Sequence, residues 1–304
     1  MARFGGIVLL CLTVTWAASS LAASLPELRG LALELVNRER LARGLTPLRP
    51  DATLDATAQR HAEDMLRRNY FDHVSPEGHS VLDRYIAAGG NRWRAVAENI
   101  ARCLGCELPP TPEELAKTQQ GWMDSPSHRE NILNPAISQF GFGLATGRDG
   151  QQYSVQTFAG SGGGAVDSER LSPARQQQVA LAVLNVDRQR LGLPPLEASE
   201  TLQAAARRLG ERLIRDTNVP ILRSKDLRQA VPDRDRRQWR EVTASMVACG
   251  GCGVAPTEKD IAHFRDRWIE EAPIGDGRFS HIGVAITADG EGRKIAVAVL
   301  GRRS

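Results

Sequence analysis

The chain repeats part of its own sequence. When residues 37–63 are shifted by 148 positions onto 185–211, twelve of the 27 positions are identical, whereas average residue usage predicts about two. Further matches follow in the same order, and they are Cys103 with Cys249, Cys106 with Cys252, Thr111 with Thr257, Trp122 with Trp268, Gly141 with Gly283 and Asp149-Gly150 with Asp289-Gly290. A repeat of this length predicts two copies of one domain rather than a small solenoid unit.

The repeat and the chain length together predict the domain organisation. The chain has 304 residues, which is enough for two ordinary domains. The run Gly160-Ser161-Gly162-Gly163-Gly164 is typical of a flexible linker. We therefore predict a first domain at 27–160, a linker at 161–170 and a second domain at 171–304.

Residues 1–23 are predicted to be a secretory signal peptide. Arg3 gives a positive start, residues 7–17 form an apolar stretch, and Ser20-Leu21-Ala22 offers small residues for cleavage. The apolar stretch is short for a membrane span, although an uncleaved N-terminal anchor is the alternative. Lipidation at Cys11 is disfavoured because bulky leucines precede it. We expect a secreted or periplasmic protein with no transmembrane segment after cleavage.

The composition is that of a globular protein. Hydrophobic residues make up 41% and charged residues 25%, with a formal net charge of +3. Basic and acidic residues are interspersed, as in Asp233-Arg234-Asp235-Arg236-Arg237. This pattern is typical of a solvated surface and argues against a nucleic-acid partner.

Helical and strand patterns alternate along the chain. Apolar residues recur at helical spacing over 28–42, and Asp51 is placed to cap a second helix that reaches Arg68. Thr111-Pro112-Glu113-Glu114 predicts a capping box at the start of another helix. Two strands are predicted at 139–146 and 152–158, joined by a hairpin. Helices and strands in this order predict an α+β fold.

Three residues could bind a metal or move a proton: His73, Glu98 and His128. His73 follows the second helix in a turn, Glu98 lies in a short buried strand, and His128 follows the break at Ser125-Pro126. Two imidazoles and a carboxylate suit zinc, or acid–base chemistry near neutral pH. The structural alternatives are a loop-stabilising histidine and a glutamate held by backbone N–H groups.

Two further histidines are predicted to be structural or solvated. His61 shares a helix face with Leu54, Ala58 and Met65, so it is expected to be a packed helix residue. His79 lies in a glycine-containing loop and is expected to be solvated.

Four segments in this order, FDHVSPEG, AENIA, WMDSPSHRENIL and FGFGLA, resemble the bacterial branch of the CAP superfamily (cysteine-rich secretory proteins, antigen 5 and pathogenesis-related proteins). The resemblance runs over 31–160. It implies an α-β-α sandwich whose cleft is lined by two histidines and two acidic residues. His73, Glu98 and His128 match three of those positions. Ser125 stands where the eukaryotic branch has a glutamate, and Asp124 or Glu130 could substitute.

With the repeat, the resemblance implies two tandem α-β-α sandwich (CAP-like) domains, of which the second has lost the cleft residues. On the same shifts His73 aligns with Ile221 and Glu98 with Ala244, and the segment of His128 contracts to 272–277 without a histidine. His263 and His281 do not fall on cleft positions. We interpret the second copy as degenerate and expect it to contact the first as a partner surface, a scaffold or a lid.

The four cysteines after the signal peptide form two C-x-x-C motifs, Cys103 with Cys106 and Cys249 with Cys252. An oxidising compartment favours disulfides, and both pairs occupy the same place in the repeat, so each is predicted to form a local disulfide. A zinc site bridging the domains is one alternative. A redox role is another, but thioredoxin-like enzymes place this motif at the start of a helix.

Three functions are compatible with these residues. The first is a secreted module whose cleft binds zinc or another divalent metal, together with a small-molecule, lipid or cell-envelope ligand. The second is a metal-dependent hydrolase in which Glu98 is the third metal ligand or the general base. The third is a structural protein-interaction module. The resemblance implies associations with lipid or sterol binding, envelope interaction and defence-like roles, but no single activity.

Overall fold

The structure is a computed structural model that describes residues 23–163, 169–216, 222–231, 233–271 and 273–303. The predicted signal peptide up to residue 22, residues 164–168 of the predicted linker, and Ile221 lie outside these ranges. Within the described ranges, no helix has the length and apolar character needed to cross a membrane. We call residues 23–163 the first half and 169–303 the second half.

In the described ranges, the first half contains five helices and one four-stranded sheet. The elements are α1 Leu25–Leu41, β1 Arg49–Pro50, α2 Ala52–Arg68, α3 Val81–Ala87, β2 Ala95–Cys103, α4 Pro112–Asp124, α5 Pro126–Leu133, β3 Ile137–Thr146 and β4 Gln152–Gly160. The strand order is β1-β3-β4-β2, so β2 lies at a sheet edge. β1 runs parallel to β3, while β3 and β2 are both antiparallel to β4.

The sheet is covered on both faces. Ala58, Ala62 and Met65 of α2 pack with Tyr153 and Val155 on one face. Helices α1, α4 and α5 pack on the other face against the phenylalanines of β3 and β4. The arrangement is an α-β-α sandwich of the α+β class, as predicted.

Local sequence signals fix the starts of the helices. Asp51 Oδ1 accepts hydrogen bonds from the backbone N–H groups of Thr53 at 2.9 Å and Leu54 at 3.0 Å. The Thr111 hydroxyl and the Glu114 carboxylate form the predicted capping box, with distances of 3.2 and 3.1 Å. Both caps satisfy amide groups that have no partner within the helix.

In the described ranges, the second half contains another four-stranded sheet with helices on it. The elements are α6 Pro173–Arg190, β5 Glu197–Ala198, α7 Glu200–Leu213, α8 Ser224–Ala230, α9 Asp233–Arg236, β6 Trp239–Cys249, α10 Glu258–Glu271, β7 His281–Ala288 and β8 Lys294–Arg303. The strand order is β5-β7-β8-β6, which is the order of the first sheet counted along its own half.

Two buried arginines make the same contacts in the two halves. Arg40 in α1 and Arg188 in α6 are at most 1% exposed. Each donates to carbonyl oxygens of the turn after its own helix and of the segment before the third strand. The acceptors are Thr46, Ile132 and Asn134 for Arg40, at 2.9, 2.7 and 3.0 Å, and Pro194, Ile274 and Asp276 for Arg188, at 2.7, 2.6 and 3.2 Å.

The halves touch through backbone groups that we call the glycine clasp, formed by Ser161–Gly163, Gly250–Gly253 and Trp93. The N–H of Gly251 donates to the Trp93 carbonyl at 2.7 Å, and the N–H of Gly163 donates to the Gly251 carbonyl at 2.9 Å. The N–H of Gly253 donates to the Ser161 carbonyl at 3.0 Å. Residues 161–163, predicted to begin a flexible linker, are therefore hydrogen bonded to the second half.

Both C-x-x-C motifs form local disulfides, as predicted. Cys103 is bonded to Cys106 with a Cα–Cα distance of 5.9 Å, and Cys249 to Cys252 with 6.1 Å. All four sulfurs are engaged, so they are not available as ligands of a zinc site between the halves. The second disulfide closes the loop that supplies Gly250 and Gly251 to the glycine clasp.

Candidate functional site

A buried carboxylate lies at the centre of the candidate site. Strand β2 directs Glu98 to the side of the sheet that α2 covers, and its side chain is 1% exposed. Its Oε1 lies 3.0 Å from Nδ1 of His73, whose side chain is 52% exposed. The imidazole donates its Nδ1–H to the carboxylate, so Nε2 carries the lone pair of the neutral ring.

Arg84 in α3 neutralises the same carboxylate. Its Nη2 donates to Glu98 Oε2 at 2.8 Å, and its Nη1 donates to the carbonyl oxygens of His73 at 3.0 Å and His79 at 2.9 Å. One guanidinium thus joins the buried charge to the loop that carries His73. Arg84 was not predicted to be a site residue, since nothing in the run 81–87 distinguishes this arginine from a solvated one.

His61 lies close to the Glu98 carboxylate from helix α2. It is 1% exposed within α2, as expected for a packed helix residue. Its Nε2 lies 3.0 Å from the Asp72 carbonyl oxygen and 3.7 Å from Glu98 Oε1. The contact with the carboxylate was not predicted, because helical periodicity gives the buried face but not what lies across it. His79 is exposed, as predicted.

The pKa values of His73, His61 and His128 are shifted in different directions by their surroundings. The hydrogen bond to Glu98 raises the pKa of His73 above its ordinary value, against the opposing effect of burial. Burial lowers the pKa of His61. Burial, and then the nearby charge of His73, lowers the pKa of His128. His73 is therefore the first of the three to take up a proton as the pH falls.

Asparagines attach α5, and with it His128, to the edge of β2. The Asn99 side-chain amide donates to the His128 carbonyl at 3.1 Å, and the Asn131 amide donates to the Glu98 carbonyl at 3.2 Å and to Asn99 Oδ1 at 2.9 Å. Both asparagines lie in the AENIA and WMDSPSHRENIL segments. Neither asparagine was predicted to be a site residue, because its amide does not titrate and is not a typical zinc ligand.

The predicted metal ligation by His73, Glu98 and His128 does not fit this arrangement. Glu98 has one oxygen against His73 and the other against the guanidinium of Arg84, whose charge repels a second cation. Across the described ranges, no group of three His, Cys, Asp or Glu side chains is arranged to hold a metal ion. The proposed substitutes Asp124 and Glu130 are both exposed.

The second half lacks an equivalent of this cluster at the aligned positions that the structure describes. Ala244 lies in β6 where Glu98 lies in β2. His281 is buried against the Trp239 ring at 5.2 Å, with its Nε2 3.4 Å from Glu197. Among the residues that the structure describes, the cluster of Glu98, His73 and Arg84 therefore has no counterpart in the second half.

The known proteins that are similar to this chain match its first half. Residues 33–158 match the family described as CAP, the cysteine-rich secretory protein family. The chain is 40% identical over 131 residues to the uncharacterized protein YkwD of Bacillus subtilis, which covers 43% of this chain and 46% of YkwD. It is 32% identical over 126 residues to the uncharacterized membrane protein YlbC of the same organism, covering 41% and 32%. The chain thus spans less than half the length of either relative.

A solved structure is also similar. It is an extracellular protein containing an SCP domain from Bacillus anthracis, with 27% identity and a TM-score of 0.35, covering 43% of this chain and 39% of that one.

Proposed function

Because residues 33–158 match the CAP family, we propose that the chain is an exported ligand-binding protein whose first half carries the binding cleft. The observation that carries this proposal is the buried carboxylate of Glu98, held between His73 and Arg84 at 3.0 and 2.8 Å. Burying the Glu98 carboxylate with its Arg84 partner is costly, and hydrophobic residues of similar volume often stabilise a fold at least as well. A binding role accounts for retaining them.

The exposure of His73 indicates which residue of the cluster a ligand can contact. Half of its side chain is exposed while Glu98 is 1% exposed. The imidazole is therefore the part of the cluster that a ligand can reach, and Glu98 and Arg84 orient it. A protonated His73 would donate from Nε2 to a carboxylate or phosphate, and a neutral one would accept from an N–H or O–H group.

Metal-dependent hydrolysis is the weaker candidate. It would require Glu98 to leave Arg84 or His73, since both carboxylate oxygens are already engaged. The His73–Glu98 pair alone matches the arrangement in which a carboxylate orients a general base, and hydrolysis would also require a water or side-chain nucleophile beside that base. Binding of a divalent metal stays a prediction from the sequence.

We further propose that the second half is a degenerate duplicate that serves as a scaffold. The matching strand orders and the matching contacts of Arg40 and Arg188 support duplication. The glycine clasp supports the scaffold role, because it holds Trp93, which lies two residues before the start of β2 and therefore close to the strand that carries Glu98. Secretion or export to the periplasm is supported by the predicted signal peptide and by the two disulfides.

Native mass spectrometry of the exported protein, incubated with an extract of the host cell envelope, tests the cleft. We expect a bound small molecule on the wild type and on His263→Ala, an exposed histidine in α10, but not on His73→Ala. Elemental analysis of the same samples should find well below one equivalent of zinc.

Three results would contradict the proposal. The absence of any adduct on the wild type, or an adduct unchanged in His73→Ala, would remove the binding cleft. One equivalent of zinc, lost in His73→Ala, would replace it with the metal site predicted from the sequence. Near-ultraviolet circular dichroism checks that each variant is folded.

A further inference from the structure

A pocket of about 370 Å³ lies between α2, α3 and the loop that joins them. We call it the α2 pocket. None of the four cleft positions that the family resemblance implies, His73, Glu98, Ser125 and His128, belongs to its lining. It is therefore a different cavity from the cleft in which His73 is exposed.

The wall of the α2 pocket carries four arginines and three carboxylates, and two of the carboxylates are already paired. Glu77 of the loop accepts from both Nη atoms of Arg68, at 2.9 and 2.6 Å. Asp64 accepts from the Arg67 guanidinium and from the Tyr70 hydroxyl, the latter at 2.8 Å. These carboxylates are held by groups of the protein, so the charges left to meet a ligand are those of the other lining residues.

Arg84 has an unmet donor at this wall. Its Nη atoms donate to the Glu98 carboxylate and to two backbone carbonyls. Its Nε is buried and has no hydrogen-bond partner among the described residues. A buried donor without an acceptor is costly. A ligand oxygen in the α2 pocket would supply the acceptor, and a negatively charged oxygen would make the stronger hydrogen bond.

Two exposed residues of α2, Arg60 and Glu63, complete the polar wall. They lie three positions apart and are therefore neighbours on the helix surface. In the part of the chain that the structure describes, Arg60 has no hydrogen-bond or ion-pair partner. Glu63 accepts from the Gln59 amide at 2.8 Å through Oε1, which leaves Oε2 open. The wall thus offers a free cation beside a free acceptor.

In the second half, apolar residues stand at the positions that form the floor of the α2 pocket. The shift of 148 aligns Thr57 with Ala205 and His61 with Leu209. Ala205 and Leu209 are 0% and 1% exposed in the core of the second sheet. The two polar floor residues are therefore not required by the fold that the halves share.

Arg84 is replaced in the same way. Helices α3 and α8 begin with the same contact, in which a backbone N–H donates to the aspartate three residues later at 2.9 Å, Asp83 in α3 and Asp226 in α8. The next residue is Arg84 in α3 and Leu227 in α8, and Leu227 packs against the apolar core. The second copy lines this space with side chains of its core, while the first keeps polar groups around a pocket.

We propose that the α2 pocket binds a small carboxylate that also carries an O–H or N–H group, such as a 2-hydroxy or 2-amino acid. The carboxylate would accept from Arg84 Nε and pair with Arg60, and the O–H or N–H group would donate to Glu63. A doubly charged phosphate fits less well, because the three carboxylates of the wall repel it more strongly. The site stands whether or not the His73 cleft binds a ligand.

The test is an NMR titration of the ¹⁵N-labelled exported protein with sodium lactate and with alanine, at constant ionic strength. We expect a saturable shift of the Arg84 Nε–H signal, together with shifts of the amides of residues 75–79. Methyl lactate, which lacks the negative charge, should leave the Nε–H signal unchanged. Inorganic phosphate should bind more weakly than lactate.

The charge at the wall has a matched control in the repeat. Arg60→Gln should weaken lactate binding by about threefold, as expected for one exposed ion pair. Arg208→Gln makes the same change at the aligned, exposed position of α7 and should have no effect.

A second pair of variants tests the cavity itself. Ala87 is an exposed residue of α3 that lines the pocket. Ala87→Phe should fill the space and weaken lactate binding by roughly tenfold or more. Ala52→Phe adds the same ring at an exposed position at the start of α2, outside the lining, and should leave binding unchanged.

Four outcomes would overturn the proposal. They are no saturable shift of the Arg84 signal with either acid, an equal shift with methyl lactate, tighter binding of phosphate than of lactate, and unchanged lactate binding in both Arg60→Gln and Ala87→Phe. Loss of envelope adducts in His73→Ala with unchanged lactate shifts would leave the α2 pocket intact, so failure of one site is distinguishable from failure of the other.

Discussion

At the scale of single residues, the charge on the site depends on His73. Its hydrogen bond to Glu98 raises its pKa above the ordinary value of 6.5, and we expect an NMR titration of the imidazole to show this. Glu98→Gln removes the negative charge that favours the imidazolium, so the pKa of His73 should fall. An unchanged pKa in Glu98→Gln would contradict the pairing.

The raised pKa of His73 makes its contribution to folding stability depend on pH. A raised pKa in the folded state means that His73 contributes its full stabilisation below about 6.5 and loses it as the pH rises through the raised value. His61 acts in the opposite sense, because burial lowers its pKa: its contribution is present above about 6.5 and lost as the pH falls through the lowered value.

Sequence patterns located only part of this cluster. His73 and Glu98 were identified because their side chains titrate and their segments resemble a known family. Arg84 was missed, although it holds Glu98 at 2.8 Å. A guanidinium that crosses from a short helix to a strand leaves no periodicity in the sequence, so the partner of a buried charge is known only once the two elements are in place.

At the scale of elements, the sequence was most informative where a single side chain decides a boundary. Asp51 and Thr111 begin α2 and α4 as predicted, because a cap acts on amides two or three residues away. The glycines at 160–163 were less informative, because no single side chain decides what they do. Glycines suit flexibility, yet they also allow close backbone approach, and only the second half shows that Gly162 and Gly163 are used for contact.

The glycine clasp makes a prediction at this scale. Gly162 has φ +65°, and a Cβ there would overlap the carbonyl oxygen of Gly251. Gly162→Ala should therefore lower the free energy of unfolding by about 3 kcal/mol, from backbone strain plus a displaced contact. Gly192→Ala is the matched control: its φ is +69° with nothing within 4 Å of the added Cβ, so it should cost only about 1 kcal/mol. Equal losses in denaturant unfolding would show that the clasp contributes nothing.

At the scale of the whole molecule, the clasp joins two sheets that each have their own core. Besides its hydrogen bonds, the Arg293 guanidinium lies 4.4 Å from the centre of the Trp93 ring, and Arg94 lies 3.6 Å from Glu291. These contacts fix the segment that enters β2, whose later residues include Glu98. On the proposed scaffold role, the second half stabilises the cleft of the first half without contributing a residue to the cluster described around Glu98.

The coupling can be measured by calorimetry of the exported chain. We expect one unfolding transition with equal calorimetric and van't Hoff enthalpies, because opening either half breaks the clasp. Trp93→Ala removes the surface on which Arg293 stacks and should split the melt into two transitions, with the lower one shifted by several degrees. Replacing the exposed Leu104 by alanine should leave one transition, since it lies away from the clasp in sequence and is 64% exposed. Two transitions in the wild type would mean that the halves fold independently, and the scaffold role of the second half would then be wrong.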